Sequence, residues 1–411
     1  IEPLLSITIK NHQTKEIVVW GIGDFKTKRE DVHYVQCESE RHLIQEFLVF
    51  WERNQPDVIT GWNTEFFDIP YLCNRIVNLC GDDEIKRLSP WGGVSSRNVF
   101  KMGRSHQLYD IQGVAHLDYF DLYRKFTYTA QESYRLDHIA YVELGERKDG
   151  NPYETFRDWY TNDYQSFIEY NITDVELVDK LEDKMKLIEL LLTMAYDAKV
   201  NYTDVLGSVK YWDVSICNYL REKKIVIPQK KRSDKSEKFE GAYVKEPQVG
   251  MHKWVMSFDL NSLYPHLIMQ YNISPETVNK DKRQIKRMTV DKLLSQDVDM
   301  SGMRQRQLTM TPNGALFKTN KKGFLSEMME TMYNDRVNYK RLMLQSKQEY
   351  ENTKDPKLLK DIAKYNNIQM AKKISLNSAY GAIGNEYFRY YDLLIAEGIT
   401  TAGQLSIRWI E

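Results

Sequence analysis

The chain has 411 residues, 42% of them hydrophobic, enough for two or three separate cores, since a single core rarely grows past about 250–300 residues. No basic segment leads into an apolar core at its start, and no uninterrupted apolar run of about 18 residues occurs, which argues against secretion and membrane spanning and for a cytosolic setting. A formal net charge of −1 withholds the global basic signature of many nucleic-acid binders, so any contact with DNA has to come from local patches.

The chain opens at Ile1 in a strand-like stretch, and residues 1–200 alternate short β-branched runs (LLSITI, EIVVWGIG, DVITGW) with helical patterns, the longest from Asp163 to Lys199. Such alternation predicts an α/β layer on a central sheet. Cys37, Cys73, Cys80 and Cys217 show neither CxxC spacing nor a histidine partner pattern, so they read as reduced core thiols rather than a zinc site or disulfide framework. Residues 201–250 read as a connector with a Gly-Ala turn, EGAYVKEP, and a basic run in which Arg221 to Lys238 holds eight Lys/Arg against three acids. Most such runs are solvated surface. A strand is expected at WVMSF, Trp254 to Phe258, opening a new core and running into Asp259. Helical patterns cover Leu325 to Glu351 and Lys357 to Tyr380, and the Asp355-Pro356 break stops one helix and starts the next. Two helices of roughly 24–27 residues would project about 36–40 Å as an antiparallel hairpin. Neither Ile1 nor Glu411 carries an end signal, and both ends look cut.

Three carboxylates stand where a metal could be held. Asp259 ends an expected strand, a position whose direction a sheet fixes and where Mg²⁺ takes its remaining ligands from water and phosphate; an isolated Asp there more often caps a turn. Asp68, in FDIP, also reads as an ordinary helix start. Tyr170 and Asp174, four apart on a helix, share one face and can converge on one water or metal, although surface Tyr and Asp at that spacing are common.

Taken together the strings are more specific. TGWNTEFFDIPYLCNRI, EYNITDVELV, SFDLNSLYPHLIMQYNISPET and KKISLNSAYGAIGN occur in that order. They resemble the second and third exonuclease motifs and then motifs A and B of family B DNA polymerases. LDYFDLYRKF, SYRLDHIA, GAYVKEP and NEYFRYYDL look like the T-even-like tailed-phage branch, so the resemblance spans essentially the whole chain.

The resemblance implies an α/β and α+β multidomain chain: an RNase H-like 3′→5′ exonuclease domain over 1–190, a connector over 191–238, a first palm part over 239–322, a helical-hairpin fingers domain over 323–385, and the start of a second palm part over 386–411, with no thumb. It implies template-directed DNA synthesis from dNTPs with proofreading, in viral DNA replication in the cytoplasm of an infected bacterium. Asp68 and Asp174 would be exonuclease metal ligands, with Tyr170 orienting the attacking water and Asn63 and Phe67 meeting the substrate. Asp259 would be the motif A ligand, with the Leu260 carbonyl on the same metal. Ser262 and Leu263 would offer backbone N–H groups to the triphosphate, and Tyr264 would exclude a ribose 2′-hydroxyl. Arg336, Lys340, Lys373 and Asn377 would bracket the triphosphate, and Tyr380 and Gly381 would line the nascent base pair. Two-metal Mg²⁺ sites, with Mn²⁺ as a substitute, primer-template DNA, dNTPs, a sliding clamp and other replisome proteins complete the expectation, with no membrane.

His266 and Ala379 depart from the family pattern, which normally has a small residue at the first position and a larger apolar one at the second. The Asp-x-Glu exonuclease motif and the motif C aspartates are absent, so this polypeptide alone is expected to be inactive in both reactions. The alternative is a nuclease or DNA-repair protein without polymerase activity; the cations and Tyr264 argue against it, because a nuclease has no triphosphate to hold. Contacts with DNA should go mostly to phosphates and weaken steeply with salt, with Lys223 to Lys238 a candidate contributor.

Overall fold

In the computed structural model, which describes residues 2–101, 103–127, 129–148, 150–230, 240–280 and 288–411, the chain divides into two units, Ile1–Glu189 and Leu190–Glu411. No helix among the described residues is long and apolar enough to cross a membrane.

The β-branched runs of the first unit form a sheet of β1 (Ser6–Lys10), β2 (Ile17–Gly21) and β3 (Val32–Gln36), with β1 and β2 antiparallel and β2 and β3 parallel. Side chains alternate across a strand, so β2 feeds two cores. Ile17 and Val19 pack with Ile168 and Ile172, while Trp20 joins Leu43, Phe47 and Leu48 of α1 (Glu40–Asn54). Cys37 and Cys73 lie in that second core, where burial raises both thiols and brings Cys73 to about 12; all four cysteines are free. The α1 helix starts at Ser39, whose hydroxyl accepts the His42 N–H.

Next come β4 (Val58–Ile59), α2 (Asp68–Cys80), the antiparallel pair β5 (Val94–Lys101) and β6 (Arg104–Ile111), then β7 (Ala115–His116), α3 (Tyr119–Phe126), α4 (Leu136–Leu144) and α5 (Phe156–Asn162). β4 and β7 are parallel, and their ladder continues as the Leu117 and Tyr119 N–H groups donate to the Ile59 and Gly61 carbonyls at 2.9 and 2.8 Å. This continuation sets Asp118 against the loop 61–67.

The helix expected from Asp163 to Lys199 is two helices, α6 (Tyr164–Met185) and α7 (Leu187–Ala198). Lys186 takes a left-handed φ of 56°, and the buried Glu182 carboxylate accepts the Ile188 and Glu189 N–H groups at 3.1 and 3.3 Å. A side chain of α6 thus caps its successor, an event the apolar periodicity does not register.

The second unit holds α8 (Ser208–Glu222), α9 (Leu263–Tyr271), β8 (Val278–Asn279), α10 (Val290–Leu294), β9 (Leu308–Met310), β10 (Leu316–Lys318), α11 (Phe324–Thr353), α12 (Lys357–Ile383) and α13 (Leu393–Ile410). The short strands form an antiparallel sheet in the order β8-β10-β9. The helical hairpin forms, with arms of 30 and 27 residues, and turns at Lys354 (φ 54°) and Pro356.

The strand expected at Trp254 to Phe258 does not form. Residues 251–260 lack regular structure and are exposed, Trp254 by 97% and Phe258 by 82%. A continuous apolar run makes a strand only where neighbours accept its ladder hydrogen bonds and cover both faces, and no described strand pairs with it.

Candidate active sites

Asp68 is the first residue of α2, after a loop whose shape is set by small and buried groups. A Cβ on Gly61 would fall 2.3 Å from Thr64 Cγ2, and Asn63 has a φ of 65°, a region Asn tolerates better than most residues. Asp118, 3% exposed, accepts three backbone N–H groups, those of Asn63 and Phe120 through Oδ1 at 2.9 and 3.0 Å and that of Glu65 through Oδ2 at 2.9 Å. His116 Nε2 lies 2.8 Å from Thr64 Oγ1, and burial lowers that imidazole to about 4, so it is neutral at pH 7. Asn63 itself is exposed, as is Phe67 by 62%, its ring stacked on Tyr71 at 6.0 Å.

Asp174 and Tyr170 lie one turn apart on α6. The Tyr170 ring is held at 5.0 Å by Trp159 and 6.4 Å by Phe156, with Lys148 Nζ 5.1 Å from its centroid. The same ammonium is paired with Asp174 through Oδ1. Asp68 is open at its own surface but hemmed in by protein, and lost hydration, followed by the fields of Asp118 and Asp174, pushes its carboxyl up to about 6. Burial likewise raises Asp174, against the opposing pull of Lys148. Two carboxyls held near each other, the field of Asp174 raising Asp68, fit a hard divalent cation, which would take the place of the Lys148 ammonium on Asp174.

A tighter trio exists elsewhere. Among the described residues, His12, Asp179 and Asp183 bring ligand atoms within 4.8 Å of one another, but ammonium groups already fill that space: Asp179 meets Lys10 and Lys15 at 2.9 Å each, and Lys15 reaches Asp183 at 2.9 Å. Burial alone would raise Asp179, but hydrogen bonds from Lys15, Lys10 and His12 outweigh it and hold the group at about 2. This cluster fastens the β1–β2 turn to α6.

In the second unit Ser262, with a left-handed φ of 51°, precedes Leu263 at the start of α9. The Ser262 hydroxyl accepts from Arg336 Nη1 of α11 at 3.1 Å, and the buried Arg336 Nε has no partner. His266 Nδ1 lies 2.9 Å from the Ser262 carbonyl, and its ring meets Tyr333 edge-on at 4.5 Å. Tyr264 meets Tyr380 of α12 edge-on at 4.8 Å, and burial, then Tyr264, pushes the Tyr380 phenol up to about 12. A Cβ on Gly403 of α13 would lie 3.0 Å from Tyr264 Cε1, so a small residue makes room for that ring.

Lys373 is half-buried, while Asn377, Lys340 and Gly381 are exposed. Lys340 lines a shallow groove with Val337, Arg341 and Leu344, and packing does not demand glycine at 381, where only Ser208 Oγ comes within 4 Å of an added Cβ. Asp259 and Leu260 belong to the exposed irregular segment, so Asp259 does not end a strand. Of the basic run, Lys223 is engaged by Glu327 at 2.6 Å and lies over Tyr219, and Lys231, Arg232, Lys235 and Lys238 lie outside the described residues.

Sequence reasoning missed Asp118, Lys148, Tyr333 and Gly403. Only Asp118 had a local signal, as an Asp directly before a helical pattern; its side chain caps α3. The others act on partners distant in sequence.

Comparison with known proteins points one way. Residues 5–139 match the exonuclease domain of DNA polymerase family B, and residues 212–410 match DNA polymerase family B itself. The chain is 35% identical to the DNA-directed DNA polymerase of Escherichia phage RB69 over 93% of its length and 46% of the relative's, and 34% identical to that of Enterobacteria phage T4 over 92% and 46%. It is 26% identical to a DNA polymerase of Pyrococcus glycovorans over 99% of its length and 48% of the relative's. The chain thus spans about half the length of these relatives.

Proposed function

Because the chain belongs to the family B DNA polymerases, we propose that it carries residues of both reactions of one enzyme, template-directed DNA synthesis from dNTPs and 3′→5′ proofreading. The first unit is read as an RNase H-like exonuclease domain, residues 1–190. Residues 191–238 are the connector, 239–322 and 386–411 are palm, and 323–385 are fingers. Primer-template DNA and dNTPs are the substrates, in the cytoplasm of an infected bacterium, with a sliding clamp and other replisome proteins as partners.

In the exonuclease, Asp68 and Asp174 hold Mg²⁺, for which Mn²⁺ can substitute. Tyr170, its ring fixed by Trp159 and Phe156, orients the attacking water, and Asn63 and the exposed Phe67 receive the 3′ end. In the synthetic site Asp259 and the Leu260 carbonyl are the ligands. Bound divalent ions supply charge neutralisation on the phosphate and an activated oxygen nucleophile for in-line displacement. The chain contributes position: the Arg336 fork with Lys340, Lys373 and Asn377 grips the triphosphate, backbone N–H groups of Ser262 and Leu263 meet its oxygens, Tyr264 blocks a 2′-hydroxyl, and Tyr380 and Gly381 meet the new base pair.

One observation favours synthesis over a nuclease alone: Arg336 is tied to Ser262 at the start of α9 while its buried Nε lacks an acceptor, as a site awaiting an anion requires. In the full-length protein, dNTP should protect Lys373 from pyridoxal-phosphate modification, and Asp259→Ala should abolish primer extension while leaving single-strand hydrolysis. No protection together with no primer extension by the wild-type full-length protein would leave only the nuclease reading, and normal extension by Asp259→Ala would remove Asp259 from the synthetic site.

A further inference from the structure

Lys372 of α12 is 7% exposed, although an ammonium is among the costliest groups to bury. Its Nζ lies 2.8 Å from Asp197 Oδ1 of α7 and 2.9 Å from Asp335 Oδ2 of α11. Burial opposes its charge, but the two carboxylates outweigh burial and raise its pKa, so it remains a cation. None of the roles above uses it.

Its position relative to the proposed nucleotide site is specific. Asp335 immediately precedes Arg336, and Lys372 immediately precedes Lys373. Successive side chains on a helix point about 100° apart, so each helix turns one side chain into the ion pair and the next elsewhere. On α11 that next residue, Arg336, reaches Ser262. Sliding either helix by one turn, about 5.4 Å, would break the ion pair and misplace the neighbouring cation together. The other bonds near Lys372 hold α12 to α8: Tyr211 Oη lies 2.7 Å from Ser375 Oγ, and Trp212 Nε1 donates to Ser378 Oγ at 3.0 Å. These fix α12 to α8, while α11 is tied to α9 by the Ser326 hydroxyl, which donates to the Ile268 carbonyl at 2.9 Å, and by Arg336, and the Lys372–Asp335 bond ties α11 to α12.

We infer that Lys372 is a positioning residue for nucleotide binding: bridging Asp335 and Asp197, it locks α11 against α12 so that Arg336 and Lys373 reach one triphosphate together. The inference rests on reading this hairpin as the nucleotide-binding element.

The test compares full-length wild type, Lys372→Met, Lys372→Arg and Asp335→Asn for dNTP affinity of the primer-template complex and for single-nucleotide insertion. Lys372→Met should raise the dNTP Kd and KM about tenfold, with kcat at saturating dNTP, primer-template affinity and single-strand hydrolysis each within about twofold of wild type. Lys372→Arg, which keeps the charge, should recover most of the loss. Asp335→Asn, whose carboxylate is 44% exposed and whose replacement threatens folding less, should raise KM about threefold. Unchanged dNTP Kd and KM in Lys372→Met, or in Asp335→Asn should the former not fold, overturn the inference, and a lowered Tm with unchanged KM does the same. A wild type that binds no dNTP removes the reading of the hairpin itself, and the role of Lys372 falls with it.

Discussion

The two acidic sites differ in how their surroundings are built. Asp68 follows a loop tied down by Asp118, His116 and a close-packed Gly61, and it opens a helix whose core partners lie in the same unit. Asp259 ends an irregular, exposed run whose apolar residues touch little. Yet Ser262, three residues on, is already packed, tied to Arg336 and followed by a helix. A carboxylate is placed by whatever satisfies the backbone around it: buried acceptors do this for residues 63–68, whereas residues 254–258 would need neighbouring strands.

The comparison can be broken at three points. The largest effect is expected at Asp118, where replacement by Ala strands three N–H groups. Asp118→Ala should lower unfolding free energy by roughly 3 kcal/mol in urea titrations and, in the full-length protein, reduce single-strand hydrolysis at least about 100-fold, through displacement of Asp68. A stable variant with normal hydrolysis would show that the loop holds itself.

A smaller, pH-dependent effect is expected at Asp179. Its folded value of about 2 lies below the unfolded value near 4, so its contribution is fully present above about pH 4 and is lost as pH falls toward 2. With its side chain 8% exposed, the contribution should be about 1–2 kcal/mol. Asp179→Asn should therefore be less stable than wild type at pH 6 and converge with it near pH 2; a constant gap across that range would mean the cations do not hold the carboxylate.

The smallest effect belongs to the exposed run. Phe258→Ala should change the stability of this 411-residue chain by less than about 0.5 kcal/mol, whereas Phe47→Ala in the α1 core should cost about 3–5 kcal/mol. A large loss at Phe258 would show that residues 254–258 are packed after all.

Features encoded by near neighbours were readable from sequence: the hairpin break at Asp355-Pro356, the one-turn spacing of Tyr170 and Asp174, and the helix start at Asp68. What escaped depends on distant partners. The interruption at Lys186 arises because Glu182 turns back to cap the next helix, and nothing in the apolar period marks it. The strand expected at Trp254 carried the right residue types without neighbours to pair with. Nothing beside Lys148 or Lys372 in the sequence marks the carboxylates that folding brings to them. The four ordered motifs identified the family, but they could not say which side chains hold the motif residues in place.

The seclusion of Cys37 and Cys73 equips the first unit with a reporter of its own opening. With burial carrying Cys73 to about 12, only roughly one thiol in 10⁴ would be ionised at pH 8, so an alkylating reagent has to wait for the core between β2, α1 and α2 to breathe. Cys80 and Cys217 are half-buried and should react first. The lag between the two classes of thiol would then time those excursions in the unlabelled protein, and added Mg²⁺ should lengthen it where the proposed ligands Asp68 and Asp174 hold the ion.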